Sequence, residues 1–177
     1  MPKGDQKIVE FPFRTWIVRV DEYNRVRLPL DEIRSVVPWI NLEARQIECV
    51  GIPGPAGGVQ VARLTDYRQD VAPFAATIAQ IPPTESESSH KWMDVVRLLA
   101  TAWLIPINIE TSRISITLPE SLRGAEQVPQ AGQAAVIFGA GNILEIWDSR
   151  KWHDHVRETA KRKGPAIAEA LEDLRER

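Results

Sequence analysis

The chain has 177 residues, 44% hydrophobic and 26% charged, enough to close one sizeable core or two small coupled ones and too apolar for a disordered chain. Lys and Arg number 22 against 24 Asp and Glu, a formal net charge of -2, which excludes a uniformly basic nucleic-acid-binding surface but not a local one. A single cysteine, Cys49, excludes an intramolecular disulfide framework, and 3 histidines leave few ligands for a built-in metal cluster.

The opening MPKGDQK lacks a basic region followed by an apolar segment. No stretch approaches the roughly 20 apolar residues of a membrane helix. The expectation is a cytoplasmic protein that does not cross a membrane. Residues 16–20 favour a strand, 21–24 supply a turn, and 25–28 return as a second alternating strand ending at Pro29. A short helix is predicted over 31–37, before Pro38, with Ile33, Val36 and Val37 as a partial apolar face. Residues 46–50 and 59–64 read as strands joined by GIPGPAGG at 51–58. That loop lacks the Gly-Lys-Ser/Thr ending of a phosphate cradle and is read as a hairpin connection.

Residues 66–81 look helical in part, with Pro73 as an interruption, and PPTESESS at 82–89 reads as a flexible connection. Trp92, Val95, Val96, Leu99 and Trp103 give a packing helix over 91–103 its apolar face. Residues 107–119 resume a β pattern with alternating apolar positions, and 120–125 make one or two helical turns. Residues 134–138 and 143–147 are strands around the turn GAGN at 139–142. Asp148 or Ser149 caps a helix starting near Arg150, which Gly164-Pro165 should end, and Ile167, Leu171 and Leu174 form a weak stripe beyond it.

The chain repeats itself. RVRLPL from Arg25 and SITLPE from Ser115 hold corresponding strand-to-helix positions, with Leu28-Pro29 matched to Leu118-Pro119. Each is followed by a short helical segment, a strand, a glycine-containing hairpin and another strand. Two such β-rich units bury their apolar faces by packing together, a mainly β fold with attached helices (α+β).

The stretch LPESLR at 118–123, followed by GNILEIW at 141–147 and Trp152, resembles the second repeat of the MraZ family, whose chains carry two tandem repeats related to the AbrB and SpoVT domain. Asp21 and Arg25, ahead of Leu28-Pro29, resemble the turn and strand end of its first repeat. The similarity covers residues 14–156. It implies a swapped-hairpin AbrB-like β-barrel built as an intrachain pseudo-dimer, with repeats over 12–81 and 106–160, a connecting loop and packing helix over 82–105, and a helical tail over 161–177. It also implies homo-oligomeric assembly and transcriptional regulation of bacterial promoters through double-stranded DNA, in the cytoplasm with nucleoid association. Asp21, Pro29, Pro119, Arg123, Trp147 and Trp152 are the structural members of the motif.

Arg14, Arg25, Arg27 and Arg113 are the candidate DNA contacts, with Lys7 and Arg19 as further electrostatic contributors. A carboxylate at Asp21 accepts charge-assisted bonds from the guanidinium of Arg25 and ties down the turn, which leaves Arg27 and Arg14 freer for phosphate. On the Leu-Pro alignment the second repeat departs from the first: Thr111 stands opposite Asp21, Ser115 opposite Arg25, and Arg113 is displaced by two residues. Arg34 is likewise offset by one from Arg123. The alternative reading is a structural or antitoxin-like protein-interaction module that kept the fold, lost specific DNA binding and takes an unidentified protein partner. No catalytic residue, metal or cofactor is expected. His153 and His155 do not share a helix face, His90 precedes a different helix, and Cys49 reads as a small buried residue. Trp147 and Trp152 read as core-closing indoles rather than base-stacking ones.

Overall fold

A computed structural model of the chain describes residues 13–40, 44–54, 57–71, 73, 76, 102–120, 122 and 128–175. The chain forms eight strands, with alternating patterns clearest in β2 and β4: β1 (Phe13–Arg19), β2 (Arg25–Pro29), β3 (Gln46–Pro53), β4 (Val59–Arg63), β5 (Trp103–Ile109), β6 (Arg113–Thr117), β7 (Ala134–Ala140) and β8 (Ile143–Asp148). The helical elements are α1 (Leu30–Val36), α2 (Leu64–Asp66), which runs on as a π-turn over Tyr67–Val71, and α3 (Ser149–Arg175).

The strands form one antiparallel sheet in the order β1-β7-β8-β4-β3-β5-β6-β2. Its end strands β1 and β2 meet at the 21–24 turn, where Asp21 N–H donates to the Arg25 carbonyl at 3.0 Å, so the sheet curls into a nearly closed barrel. Because successive side chains point to opposite faces, Val26, Leu28, Ile105, Ile107, Ile114, Ile116, Ile137, Leu144 and Ile146 all enter one buried core. The interior of an eight-stranded barrel is just wide enough for side chains to fill. Each fully buried Ile or Leu contributes about 1.5–3 kcal/mol.

The helix α1 carries Asp31 and Glu32 in its first turn and Arg34 in its last, which complements its dipole. It buries Leu30, Ile33 and Val36, and the Val36 carbonyl accepts from Gly141 N–H at 2.7 Å, tying it to the β7–β8 turn.

The strand pairings survive exchange of β1–β4 with β5–β8. The β1–β7 pair becomes β5–β3 and β7–β8 becomes β3–β4, while β2–β6 and β4–β8 map onto themselves. At the seam the exchange is incomplete: β5 and β6 pair over 107–109, whereas β1 and β2 are joined at their turn. Two crossed backbone bonds set the residue correspondence, Leu30 N–H to the Ser112 carbonyl at 3.0 Å and Leu118 N–H to the Asn24 carbonyl at 2.8 Å. The offset is 88 in each case (30 to 118, 24 to 112). It replaces the Leu-Pro alignment, whose offset is 90 (28 to 118, 29 to 119). Arg113, not Ser115, therefore stands where Arg25 stands.

Other expectations also give way. The stretch 107–119 is not one strand run, because Glu110 N–H donates to the Arg113 carbonyl at 2.9 Å and turns the chain between β5 and β6. Trp103 opens β5 opposite Gly51 instead of closing a helix. The remainder of the 91–103 helix (apart from Ala102), the 82–89 connection and His90 lie outside the described residues. Glycine and proline at 51 and 53 do not end β3, which runs to Pro53. Gly164-Pro165 does not end α3, which reaches Arg175 with Pro165 inside it. Proline removes one helical N–H, and on an exposed helix the carbonyl so freed turns to water. Of the 120–125 turn, Glu120 and Leu122 are described, in a turn opened by Leu122 N–H donating to the Pro119 carbonyl at 3.0 Å. Among the described residues no helix is long and apolar enough to cross a membrane.

Candidate nucleic-acid interface

Strands β2 and β6 pair Arg25 with Thr117, Arg27 with Ser115 and Pro29 with Arg113. Val26, Leu28, Ile114 and Ile116 point into the core, so the alternate residues Arg25, Arg27, Arg113, Ser115 and Thr117 share the outer face. The offset of 88 relates Arg25 to Arg113 and places the Arg27–Ser115 pair at the centre of the exchange.

Each flanking turn is closed by a carboxylate. Asp21 Oδ1 accepts from the N–H groups of Tyr23 and Arg25, both at 2.9 Å. Its Oδ2 accepts from Arg25 Nε at 3.0 Å and pairs with Arg27 Nη2 at 3.3 Å. The Arg25 guanidinium also lies 4.8 Å from the Tyr23 ring centroid. Glu110 repeats the device: its N–H donates to the Arg113 carbonyl, and its Oε2 accepts from Arg113 Nε.

Burial pushes the Asp21 carboxyl up, but bonds from the N–H and side chain of Arg25 and the N–H of Tyr23, with the charge of Arg25, together hold it below the usual carboxylate range. The Arg113 hydrogen bond outweighs desolvation at Glu110, and the charges of Arg113, Arg27 and Arg25 lower that carboxyl further. A depressed folded value means that Asp21 contributes stability above the unfolded carboxylate pKa of about 3.9, lost as pH falls through the lower folded value. Asp21→Asn is expected to cost about 2 kcal/mol at neutral pH. In urea titrations its deficit against wild type should stay constant from pH 8 to 5 and narrow below about pH 4.

The structure brings together Arg25, Arg27 and Arg113, and leaves Arg14 apart. Arg14 pairs with Glu32 at 3.1 Å and lies 5.8 Å from the Trp16 ring centroid, while Trp16 Nε1 donates to the same Glu32 carboxylate at 2.9 Å. Six residues of extended chain, roughly 20 Å, separate it from the Asp21 turn. Arg27 is not freer than Arg25, since both share Asp21. Arg34 pairs with Asp31, and Arg19 is exposed on β1. Lys7 and Arg123 lie outside the described residues. Ser115 is only 2% exposed, and its Oγ has no hydrogen-bond partner among the described residues.

Trp147 and Trp152 pack. Trp147 is 2% exposed, meets Trp152 edge-on at 5.4 Å, stacks with His155 at 5.0 Å and donates from Nε1 to Glu145 at 2.9 Å. Asp148 Oδ1 caps α3 by accepting from Arg150 N–H at 2.9 Å and Lys151 N–H at 3.2 Å. The glycine loop serves this indole. Gly58 has φ +70°, and a Cβ there would sit 2.6 Å from Trp147. Gly58→Ala is expected to cost about 2 kcal/mol or more, read as a lowered urea midpoint.

Burial pushes the Cys49 thiol up to about 12, which makes it a poor nucleophile. Among the described residues no group of three His, Cys, Asp or Glu is placed to hold a metal. An open groove of about 330 Å³ beside Trp39, Ile47, Glu48 and Arg68 includes Arg63, whose Nε is held by Asp66 at 2.8 Å. No family model matches the chain, and no curated protein is significantly similar to it. The geometry of the outer face therefore carries the functional reading.

Proposed function

We propose that this chain is a homo-oligomeric transcriptional regulator that binds double-stranded DNA through the outer face of β2 and β6. The observation that carries the reading is the gathering of Arg25, Arg27 and Arg113 on one sheet face, beside two turns closed in the same way. Guanidinium groups fixed on strands hold phosphate oxygens in a set register, so a chain of net charge -2 can still present a local anion-binding surface. The barrel is read as two AbrB-like repeats, β1–β4 and β5–β8, in a swapped-hairpin pseudo-dimer; the exchange of strand pairings supports this. Exposed Phe13, Ile17, Ile143 and Val156 give the protomer apolar surface for self-assembly. Several copies would then place several weak faces on one duplex.

A second reading has its own observation: each of the three arginines already has a carboxylate partner. A face whose charge is largely offset in this way fits an interaction module that kept the barrel and gave up DNA. Anisotropy titrations of a labelled duplex between about 50 and 200 mM salt separate the two. The regulator binds with a steep salt dependence that Arg25→Ala/Arg27→Ala flattens. Stable oligomers without duplex binding at the lowest salt would decide for the interaction module.

A further inference from the structure

The two carboxylates on the arginine face are held differently. Asp21 takes two backbone and two guanidinium donors and belongs to the skeleton of its turn. Among the described residues Glu110 has one side-chain partner, Arg113 Nε, and its side chain is 39% exposed. The tight 110–112 turn sets it beside Arg113, which pairs across the sheet with Pro29, two residues from Arg27. Its carboxyl also feels the charges of Arg27 and Arg25. A carboxylate offers guanidinium the same paired acceptors as two phosphate oxygens. On the same outer face the buried Ser115 Oγ, opposite Arg27, is a hydroxyl donor with no acceptor among the described residues.

We infer that Glu110 is an internal phosphate mimic, occupying at Arg113, on the face shared with Arg27 and Arg25, the place that a DNA backbone phosphate takes on binding. The inference rests on the DNA-binding reading and adds a residue that limits affinity. While Glu110 stays, the face sets three guanidinium groups against two carboxylates. Duplex binding must displace Glu110, so only a polyanion with several aligned phosphates competes well. Screened by salt, the contest is worth a modest factor per site and multiplies along an oligomer.

The test compares wild type, Glu110→Gln and Asp154→Asn. The last makes the same charge change on α3, where Asp154 pairs with Arg157 at 3.6 Å. Each protein is titrated at about 0.1 M salt with a labelled duplex, and with inorganic pyrophosphate followed through arginine Nε–H NMR signals. Glu110→Gln is expected to bind either probe about 3- to 10-fold more tightly than wild type, with Asp154→Asn within about twofold. A Glu110→Gln protein no tighter than Asp154→Asn on both probes overturns the inference, and duplex binding by wild type would then leave the DNA reading standing. Tighter pyrophosphate binding without duplex binding by any of the proteins keeps the mimic and removes the DNA reading. Binding of neither probe by any protein removes both.

Discussion

Arg27→Ala combined with Arg113→Ala is expected to weaken duplex binding about 100-fold at ~0.1 M salt, roughly tenfold for each phosphate that no longer meets a guanidinium. The slope of log affinity against log salt should become shallower by about 2. Both side chains are exposed and their flanking residues enter the core independently, so the double variant should fold and melt within a few degrees of wild type. Arg25 and Arg113 hold equivalent places under the strand exchange, so their single Ala variants should lose similar amounts of affinity. Arg25→Ala should also lose stability, since it removes Asp21's closest guanidinium partner. Anisotropy with the same duplex checks the first expectation and urea titration the second. Full duplex affinity in the double variant would move the interface elsewhere on the barrel.

Trp147→Ala is expected to destabilise the protein by about 3–5 kcal/mol. The indole is fully covered by Trp152, His155 and the Gly57-Gly58 backbone, so its removal leaves a void that two glycines cannot fill. It also leaves the Glu145 carboxylate without the Nε1–H donor. Because β8 leads directly into α3, the loss should loosen the start of that helix, seen as lowered helical signal before the main urea transition. Trp147→Phe, which keeps a ring against Trp152, should cost clearly less. A loss below about 1 kcal/mol for the Ala variant would place the stability of this region outside the aromatic cluster.

Local features were the legible part of the sequence. Alternation and turn chemistry located β2, β4, β7 and β8 closely, and a cap at Asp148 or Ser149 was readable because such side chains act on backbone groups two and three residues on, as Asp148 does. The Asp21–Arg25 clamp was readable for the same reason. Errors arose where tertiary contact outweighs local preference. Gly51 reads as a loop residue, yet a Cβ there would lie 2.3 Å from Ile105, so the glycine serves close strand packing inside β3. Trp103 fits a helical stripe until β3 offers it a strand partner.

The arginine face was half legible. Arg25, Arg27 and Arg113 carry the right charge, but their meeting depends on the β2–β6 register and on a turn at 110–112 one residue shorter than that at 21–24. Matching Leu-Pro to Leu-Pro hides that difference and sets Ser115 in Arg25's place. Glu110 gave no signal of its own, because one exposed acid among 24 acidic residues gains meaning only through its pairing with Arg113 on the arginine face.

The most direct measurement is binding of the wild-type protein to the promoter fragment upstream of its own gene, against a scrambled duplex of equal length, over the same salt series. A regulator that uses this face binds the promoter fragment at least tenfold more tightly at about 150 mM salt, and Arg25→Ala/Arg27→Ala abolishes the difference. Equal binding of the two duplexes at every salt concentration, or no binding to either, would contradict it.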